Sequence, residues 1–122
     1  GLHSNAGAGT HTIRFRVKFG TTELIVFDPL TISGANTNVP WGIEATLGFT
    51  ATGAAGTVGT YGYNFIAHGG ATKTVFTGIQ LNPVIAVNTL NDQVLQISVQ
   101  HGVASLGVNS IMIGYAVDVM QS

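Results

Sequence analysis

The stretch HTIRFRVKFGTTELIVF (residues 11–27) decides the fold class of this chain. Its first half alternates apolar with basic residues, the pattern of a strand with one buried face: Ile13, Phe15, Val17 and Phe19 against Arg14, Arg16 and Lys18. Gly20 and Thr21 follow, and a glycine at the first central position is typical of a type II′ hairpin turn. The register predicted from that turn sets Lys18 opposite Glu23, Val17 opposite Leu24 and Phe15 opposite Val26. Opposite charges and apolar side chains then pair across the hairpin.

A second hairpin is predicted from Trp41 to Ala67. One face carries Trp41, Ile43, Ala45, Leu47, Phe49 and Ala51, and residues 53–56 form a four-residue connection to a return strand over 57–67. The glycines at every third position from 53 to 62 fit neither a phosphate loop, which needs a lysine at the start of a helix, nor a collagen repeat. The predicted register sets Gly48 opposite Tyr61, Thr46 opposite Tyr63 and Glu44 opposite Phe65.

The rest of the chain is also read as strands and turns. Strands are predicted at 30–33, at 73–81 with a break at Asn82–Pro83, at 84–87, within 92–100 and at Ser110–Met120; residues 34–40 are predicted to be a loop. No segment has a helical period. Residues 1–10 are predicted to be a flexible leading segment and residues 11–122 a single domain. Eight or nine strands with frequent turns predict an all-β fold, an antiparallel β-sandwich of jelly-roll type.

Composition excludes several classes of function. The 122 residues carry a net charge of −1 and only 7 % charged residues, against about 25 % in typical domains. A nucleic-acid binder that neutralises phosphates is therefore not expected. With no cysteine there is neither a disulfide nor a thiolate metal site, and no apolar run is long enough for a membrane helix. Neutral polar groups cost less to bury than ions, which suits a surface covered by partners, although a low-charge secreted protein has a similar composition.

Catalytic chemistry is not predicted. The histidines at 3, 11, 68 and 101 lie in or beside predicted loops without the close spacing of zinc ligands, so we interpret them as exposed loop residues. Ser110, His101 and Asp118 could be drawn as a triad, but no Gly-x-Ser-x-Gly motif supports it. The basic stripe of the first strand is interpreted as a solvated face. We predict a protein that is not an enzyme and holds neither metal nor cofactor.

The candidate interaction surface is the second face of the hairpin over residues 41–67. One face of that hairpin serves the core, so Tyr61, Tyr63 and Phe65 on the other face need a second layer, a partner or a ligand. We predict that these three rings form an oligomer interface held by neutral apolar surface.

Three segments carry a resemblance to a known type of protein. THTIRFRVKFGTTELIVFD, WGIEATLGFTATGAAGTVGTYGYNF and NDQVLQISVQHGVASLGVNSIMIGYAVDVM are similar, in this order, to a widespread type of tailed-bacteriophage structural protein. The resemblance covers nearly the whole chain after residue 10. It implies a jelly-roll module, commonly trimeric, of minor capsid, head-decoration, head-fibre or tail-spike proteins. It also implies a further strand or domain before the GLHSN start, so that this chain would be the C-terminal part of a longer one.

The expected function follows from that resemblance. It implies a non-enzymatic structural module located in the virion, a homotrimer that contacts neighbouring virion proteins. The alternative is a lectin-like domain that binds host-surface glycan through polar loop residues, namely Asn36, Asn38, Asn88, Asn91 and Asp92. A third possibility is a bacterial sandwich domain with no viral origin. Neither nucleic acid nor a membrane is an expected partner.

Overall fold

The computed structural model describes residues 1–7, 9–32, 34–68, 74–102 and 107–120. Within these ranges the chain forms nine strands and no helix: β1 (Leu2–Asn5), β2 (His11–Phe19), β3 (Thr22–Val26), β4 (Leu30–Ile32), β5 (Asn36–Ala51), β6 (Gly56–His68), β7 (Thr74–Val87), β8 (Leu95–His101) and β9 (Val108–Ile111). All pairings are antiparallel. The predicted all-β class is confirmed.

Two sheets enclose the core. The larger has the order β7-β6-β5-β1-β9; in the smaller, β2 pairs with β3 and β4 along one edge and with β8 along the other. Apolar side chains from both sheets meet between them, as where the rings of Phe15 and Trp41 lie 5.0 Å apart. The arrangement is that of a β-sandwich, as predicted, while the jelly-roll type of the strand path stays a prediction.

The turn of the first hairpin forms as predicted. Gly20 adopts φ 59°, and Lys18 lies opposite Glu23 with Nζ 3.4 Å from Oε1. Gly20 is also packed closely, because an added Cβ would meet the amide of Gln93. The sequence therefore predicted both the turn and the charge pair that follows it.

Beyond the turn, the predicted register of this hairpin is wrong. An irregularity between Val17 and Lys18 sets Val17 opposite Ile25 rather than Leu24, and it sets Arg16, not Phe15, opposite Val26. The extra residue turns Leu24 and Ile25 both inward, with 1 % and 0 % of their surface exposed. A regular hairpin would bury only one of them, so the bulge gains apolar burial.

The second hairpin differs from the prediction in two ways. β5 begins at Asn36, so most of the loop predicted over residues 34–40 is strand. The observed register, with the pairs Gly42–Phe65, Glu44–Tyr63, Thr46–Tyr61 and Gly48–Gly59, differs from the predicted one by two residues. One residue of the difference arises at the turn, where Ala51 pairs with Thr57, and the other at an irregularity between Phe49 and Ala51, where β5 has one more residue than β6.

β7 runs without interruption through Pro83, where the sequence predicted a break. A proline is tolerated there because β7 is an edge strand and its register with β6 shifts beside this position. The start predicted at Lys73 lies outside the described residues.

Both ends of the chain differ from expectation. Residues 2–5, within the predicted flexible leading segment, form β1 in the interior of the larger sheet, and His3 and Asn5 are buried there. The strand predicted over Ser110–Met120 ends at Ile111 as β9, and residues 112–120 are exposed and have no regular structure. The alternating pattern of that segment therefore finds no partner strand within the described chain.

Candidate functional site

The outer face of the larger sheet holds the three predicted interface residues together. Tyr61, Tyr63 and Phe65 alternate along β6 with residues that point into the core, among them Val58 and Ile66. Tyr61 is 47 % exposed, whereas Tyr63 and Phe65 are half-buried. The three rings share one face, as predicted, but they are not equally open.

Two of these rings are partly covered by their own hairpin. Phe65 lies opposite Gly42 and packs over it so closely that a Cβ atom on residue 42 would collide with the ring. The hydroxyl of Tyr63 donates a hydrogen bond to Oε2 of Glu44 at 2.8 Å. That hydrogen bond and the charge of the carboxylate raise the pKa of Tyr63. β5 thus supplies part of the cover that was expected from a partner.

The apolar surface continues onto β7. Leu81 lies directly opposite Tyr61 and Ile79 opposite Tyr63, so their side chains share the outer face. Ile79 and Leu81 are 66 % and 68 % exposed. We call the set Tyr61, Tyr63, Phe65, Ile79 and Leu81 the outer band.

A buried histidine cluster is the feature that the sequence analysis missed. His3 of β1 and His11 of β2 come from opposite sheets and are 0 % and 3 % exposed. Their Nε2 atoms lie 2.9 Å apart, and the rings are stacked with centroids 5.1 Å apart. The interpretation of these histidines as exposed loop residues is therefore wrong for His3 and His11, and it is also wrong for His101, which is half-buried at the end of β8. The side chain of His68 lies outside the described part.

Ser110 of β9 joins the cluster to His101 of β8. Its Oγ lies 2.9 Å from Nδ1 of His3 and 2.9 Å from Nε2 of His101. The serine and histidine of the conceivable triad do touch. Asp118, however, belongs to the exposed segment after β9, and so no triad is assembled.

Hydrogen-bond partners fix the direction of the network. The amide nitrogen of Asn5 lies near three acceptors that share its two hydrogens: the carbonyl oxygens of Gly9 and Gly34, and Nδ1 of His11 at 3.2 Å. Because an amide nitrogen cannot accept a hydrogen bond, Nδ1 of His11 is the acceptor in this contact. A neutral His11 then carries its proton on Nε2 and donates to His3, which in turn donates from Nδ1 to Ser110. The arrangement requires neutral rings.

The electrostatics favour the neutral forms of His3 and His101. Burial, followed by the proximity of His11 and His101, lowers the pKa of His3 to about 4. Burial, followed by the proximity of His11, lowers the pKa of His101. Among the described residues no group of three or more His, Cys, Asp or Glu side chains has the geometry to hold a metal ion. We interpret the cluster as a polar connection between the two sheets.

One sequence signal pointed to this burial. His11 occupies the inward phase of the alternation that continues through Ile13 and Phe15. Its inward direction could have been predicted from that phase, whereas its partners His3 and Ser110 come from strands far apart in sequence.

Two shallow depressions are present on the described surface. One of about 110 Å³ is lined by Phe19, Thr21, Thr22, Val87, Asn88 and Gln93. The other, about 170 Å³, is lined by Thr12, Arg14, Pro29, Gln100 and Gly102. Both are smaller than the roughly 300–1,000 Å³ typical of small-molecule sites.

Comparison with protein-family models, with curated proteins and with solved structures gives no match for this chain. The described residues contain no helix that is long and apolar enough to span a membrane.

Proposed function

We propose that this chain is a non-enzymatic structural module of a tailed-bacteriophage virion, a homotrimeric jelly-roll unit of the capsid-decoration or fibre and spike type. Its outer band contacts other copies and neighbouring virion proteins. The observation that carries the proposal is the exposed outer band on a sheet of a protein with only 7 % charged residues.

The energetics favour covering this surface. Tyr61, Ile79 and Leu81 each expose close to half or more of their surface on one sheet face. Burying a large apolar side chain contributes about 1.5–3 kcal/mol. Apart from the Glu44 carboxylate, which accepts a hydrogen bond from Tyr63, the β5 residues paired with the band are the uncharged Gly42 and Thr46, so few charges have to be desolvated when a partner binds.

The virion location rests on the sequence resemblance. Its three segments correspond to the β2–β3 hairpin, the β5–β6 hairpin and the region from β8 onward. Those segments form most of both sheets, and a β-sandwich is the coarse architecture that the resemblance implies.

Light scattering tests the assembly. We expect a mass of three chains at micromolar concentration, unchanged in 1 M salt, because hydrophobic contacts are not screened. Tyr61→Asp should lower the mass, whereas Thr31→Asp, an exposed position on β4 of the other sheet, should not. A wild-type protein that stays monomeric would contradict the proposal.

The glycan-binding alternative is favoured by the 110 Å³ depression, where the ring of Phe19 lies beside polar side chains including Asn88. The other asparagines support it less. Asn36 is buried, and the backbone N–H of Asn38 donates to the hydroxyl of Ser4. A monomer that binds oligosaccharide in a calorimetric titration would support this alternative over the structural module.

A further inference from the structure

Basic residues are concentrated on one strand of the smaller sheet. Arg14, Arg16 and Lys18 are three of the four Lys and Arg residues in the sequence. They occupy alternate positions of β2, between the residues that point into the core, so all three lie on the outer face of this sheet. That face therefore carries most of the positive charge of a chain whose net charge is −1.

Two of these three cations share one carboxylate. Oε1 of Glu23 lies 3.4 Å from Nζ of Lys18 and 3.4 Å from Nε of Arg16. All five Asp and Glu residues of the sequence belong to the described part, and none of them forms an ion pair with Arg14. The charge of Arg14 is therefore uncompensated within the described chain.

The guanidinium of Arg14 also contains a hydrogen-bond donor without a partner. Its Nε atom is buried, although the residue as a whole is only half-buried, and no acceptor of the described chain lies within hydrogen-bond distance. The interpretation of the basic stripe as a solvated face does not account for this atom. A buried donor without an acceptor is unfavourable, and more so when the donor belongs to a charged group.

Arg14 lines the depression of about 170 Å³ on the outer face of the smaller sheet. Two of its neighbours there supply uncharged donors: the hydroxyl of Thr12, and the amide of Gln100, which lies directly opposite Arg14 on β8. The N–H of Gly102 already donates to the carbonyl of Thr12 at 2.8 Å. None of the described residues that line this depression is acidic.

These features define the chemistry of a ligand. A guanidinium presents its N–H groups as a planar fork that matches two oxygens of a carboxylate, sulfate or phosphate group. Hydroxyl and amide donors beside the fork suit the remaining oxygens. The depression is smaller than a typical organic ligand requires, but it has room for one such group.

We propose that the depression at Arg14 is a binding site for a single oxyanion group, which accepts hydrogen bonds from the Nε–H and Nη groups of Arg14. Thr12 and Gln100 complete the site with their hydroxyl and amide donors. Arg16 and Lys18, held by Glu23, raise the positive potential of the face without contacting the group. The outer band lies on the other sheet, so this site depends neither on assembly through that band nor on a virion location.

Titration of the full-length protein with inorganic sulfate, followed by NMR, tests the site. The reporters are the side-chain Nε–H resonance of Arg14 and the backbone amide resonances of Thr12 and Gly102. With ionic strength held constant by sodium chloride, we expect sulfate to shift these resonances saturably at millimolar concentration. Equal shifts in sulfate and in chloride alone would mean that only water contacts Arg14, and would overturn the proposal.

Arg14→Gln and Arg16→Gln are a matched pair, because each removes one positive charge from the same face of β2. The amide resonances of Thr12 and Gly102 report binding in both variants. We expect Arg14→Gln to weaken sulfate binding at least about tenfold, because hydrogen bonds to a charged group are lost. Arg16→Gln should change it by less than about twofold, because exposed charges that do not touch the ligand contribute little. Equal losses would assign the effect to net charge and would overturn the proposal.

Arg14→Lys separates the fork from the charge, because it keeps a cation but replaces the planar guanidinium by an ammonium group. We expect weaker sulfate binding than in the wild type; binding of equal strength would overturn the proposal. Acetate and glucuronate carry the same carboxylate and distinguish the source of the group. Tighter binding of glucuronate assigns it to a carbohydrate, and equal binding assigns it to a free anion; both results support the oxyanion site, whereas binding of neither anion nor sulfate overturns it.

Discussion

Nε2 of His3 and Nε2 of His11 lie 2.9 Å apart between the two sheets, and neither ring is exposed to solvent by more than 3 %. One of these two nitrogens must donate and the other accept. The amide of Asn5 donates to Nδ1, on the far side of His11, so a neutral His11 carries its proton on Nε2 and is the donor. A proton added to His3 would place two donors against each other in a buried site. The contact between the sheets therefore holds only while both rings are neutral.

We predict that the protein loses stability on acidification. The pKa of His3 is lowered to about 4 in the folded state, from an ordinary value of 6.5. The unfolded chain therefore binds more protons between these values, so the stability is fully present above pH 6.5 and is lost as the pH falls through about 4. A few kcal/mol at most are involved. Thermal unfolding measured from pH 7.5 to 4 should show the midpoint falling over this range.

The control is His3→Gln, which retains an amide donor and acceptor but cannot be protonated. It should be less stable than wild type at pH 7 and should lose less stability on acidification. A wild-type melting temperature that is constant from pH 6.5 to 4.5 would contradict the neutral, buried cluster.

Gly20→Val should destabilise the first hairpin. Gly20 has φ 59°, where a Cβ costs about 1–2 kcal/mol, and a side chain there would also meet Gln93. We expect the melting temperature to fall by several degrees. Gly9→Val is the matched control, since an added Cβ at Gly9 meets nothing within 4 Å. An equal fall in both variants would mean that the loss is not specific to the turn.

Local patterns explain what could be predicted of the fold. The alternation in β2 and the turn at Gly20 depend on neighbours in sequence, and both were predicted. The burial of both Leu24 and Ile25 was not predicted. The position of a bulge depends on the space that the opposite sheet leaves for the extra residue, and this space cannot be read from neighbours in sequence. The same limit applies to the shift of two residues in the β5–β6 register.

Long-range pairing explains what was missed. β1 is short and polar, and it is a strand only because β5 and β9 lie on either side of it. The burial of His3 depends on Ser110, 107 residues away. Conversely, the pattern after Ile111 predicts a strand, but a pattern cannot supply the partner that a strand requires. The shared face of Tyr61, Tyr63 and Phe65 was predicted because it needs only the alternation of β6.

Gly42→Ala should destabilise the protein while Gly48→Ala should not. Both glycines lie on the outer face of β5, but an added Cβ at Gly42 collides with the ring of Phe65, whereas at Gly48 the nearest atom is 3.9 Å away. Alanine should be neutral or slightly favourable at Gly48, because it reduces the entropy of the unfolded chain. Urea denaturation measures both.

A double variant tests the coupling between Gly42 and Phe65. In the Phe65→Ala background the ring is gone, so Gly42→Ala should lose most of its effect. Additive losses in the double variant would contradict a direct contact between Phe65 and the backbone of Gly42.

Asn64→Leu should stabilise the protein. Asn64 is fully buried on the core face of β6, and both polar atoms of its amide lack a hydrogen-bond partner. A buried polar group without a partner costs about 1–3 kcal/mol, and a leucine of similar volume removes that cost. Thr60→Val on the same face of β6 is the matched comparison.

Thr60 is equally buried, but its hydroxyl donates to the carbonyl of Leu24 at 3.2 Å, so its replacement should lower the free energy of unfolding by about 1 kcal/mol. That carbonyl also accepts from the amide of Asn82 at 3.0 Å, which limits the loss because it keeps one partner. Opposite signs of the two effects in urea denaturation would show that hydrogen bonding, not burial alone, decides the contribution of a polar residue in this core. A loss of stability in Asn64→Leu would mean that the amide has a partner in solution, and would contradict the prediction.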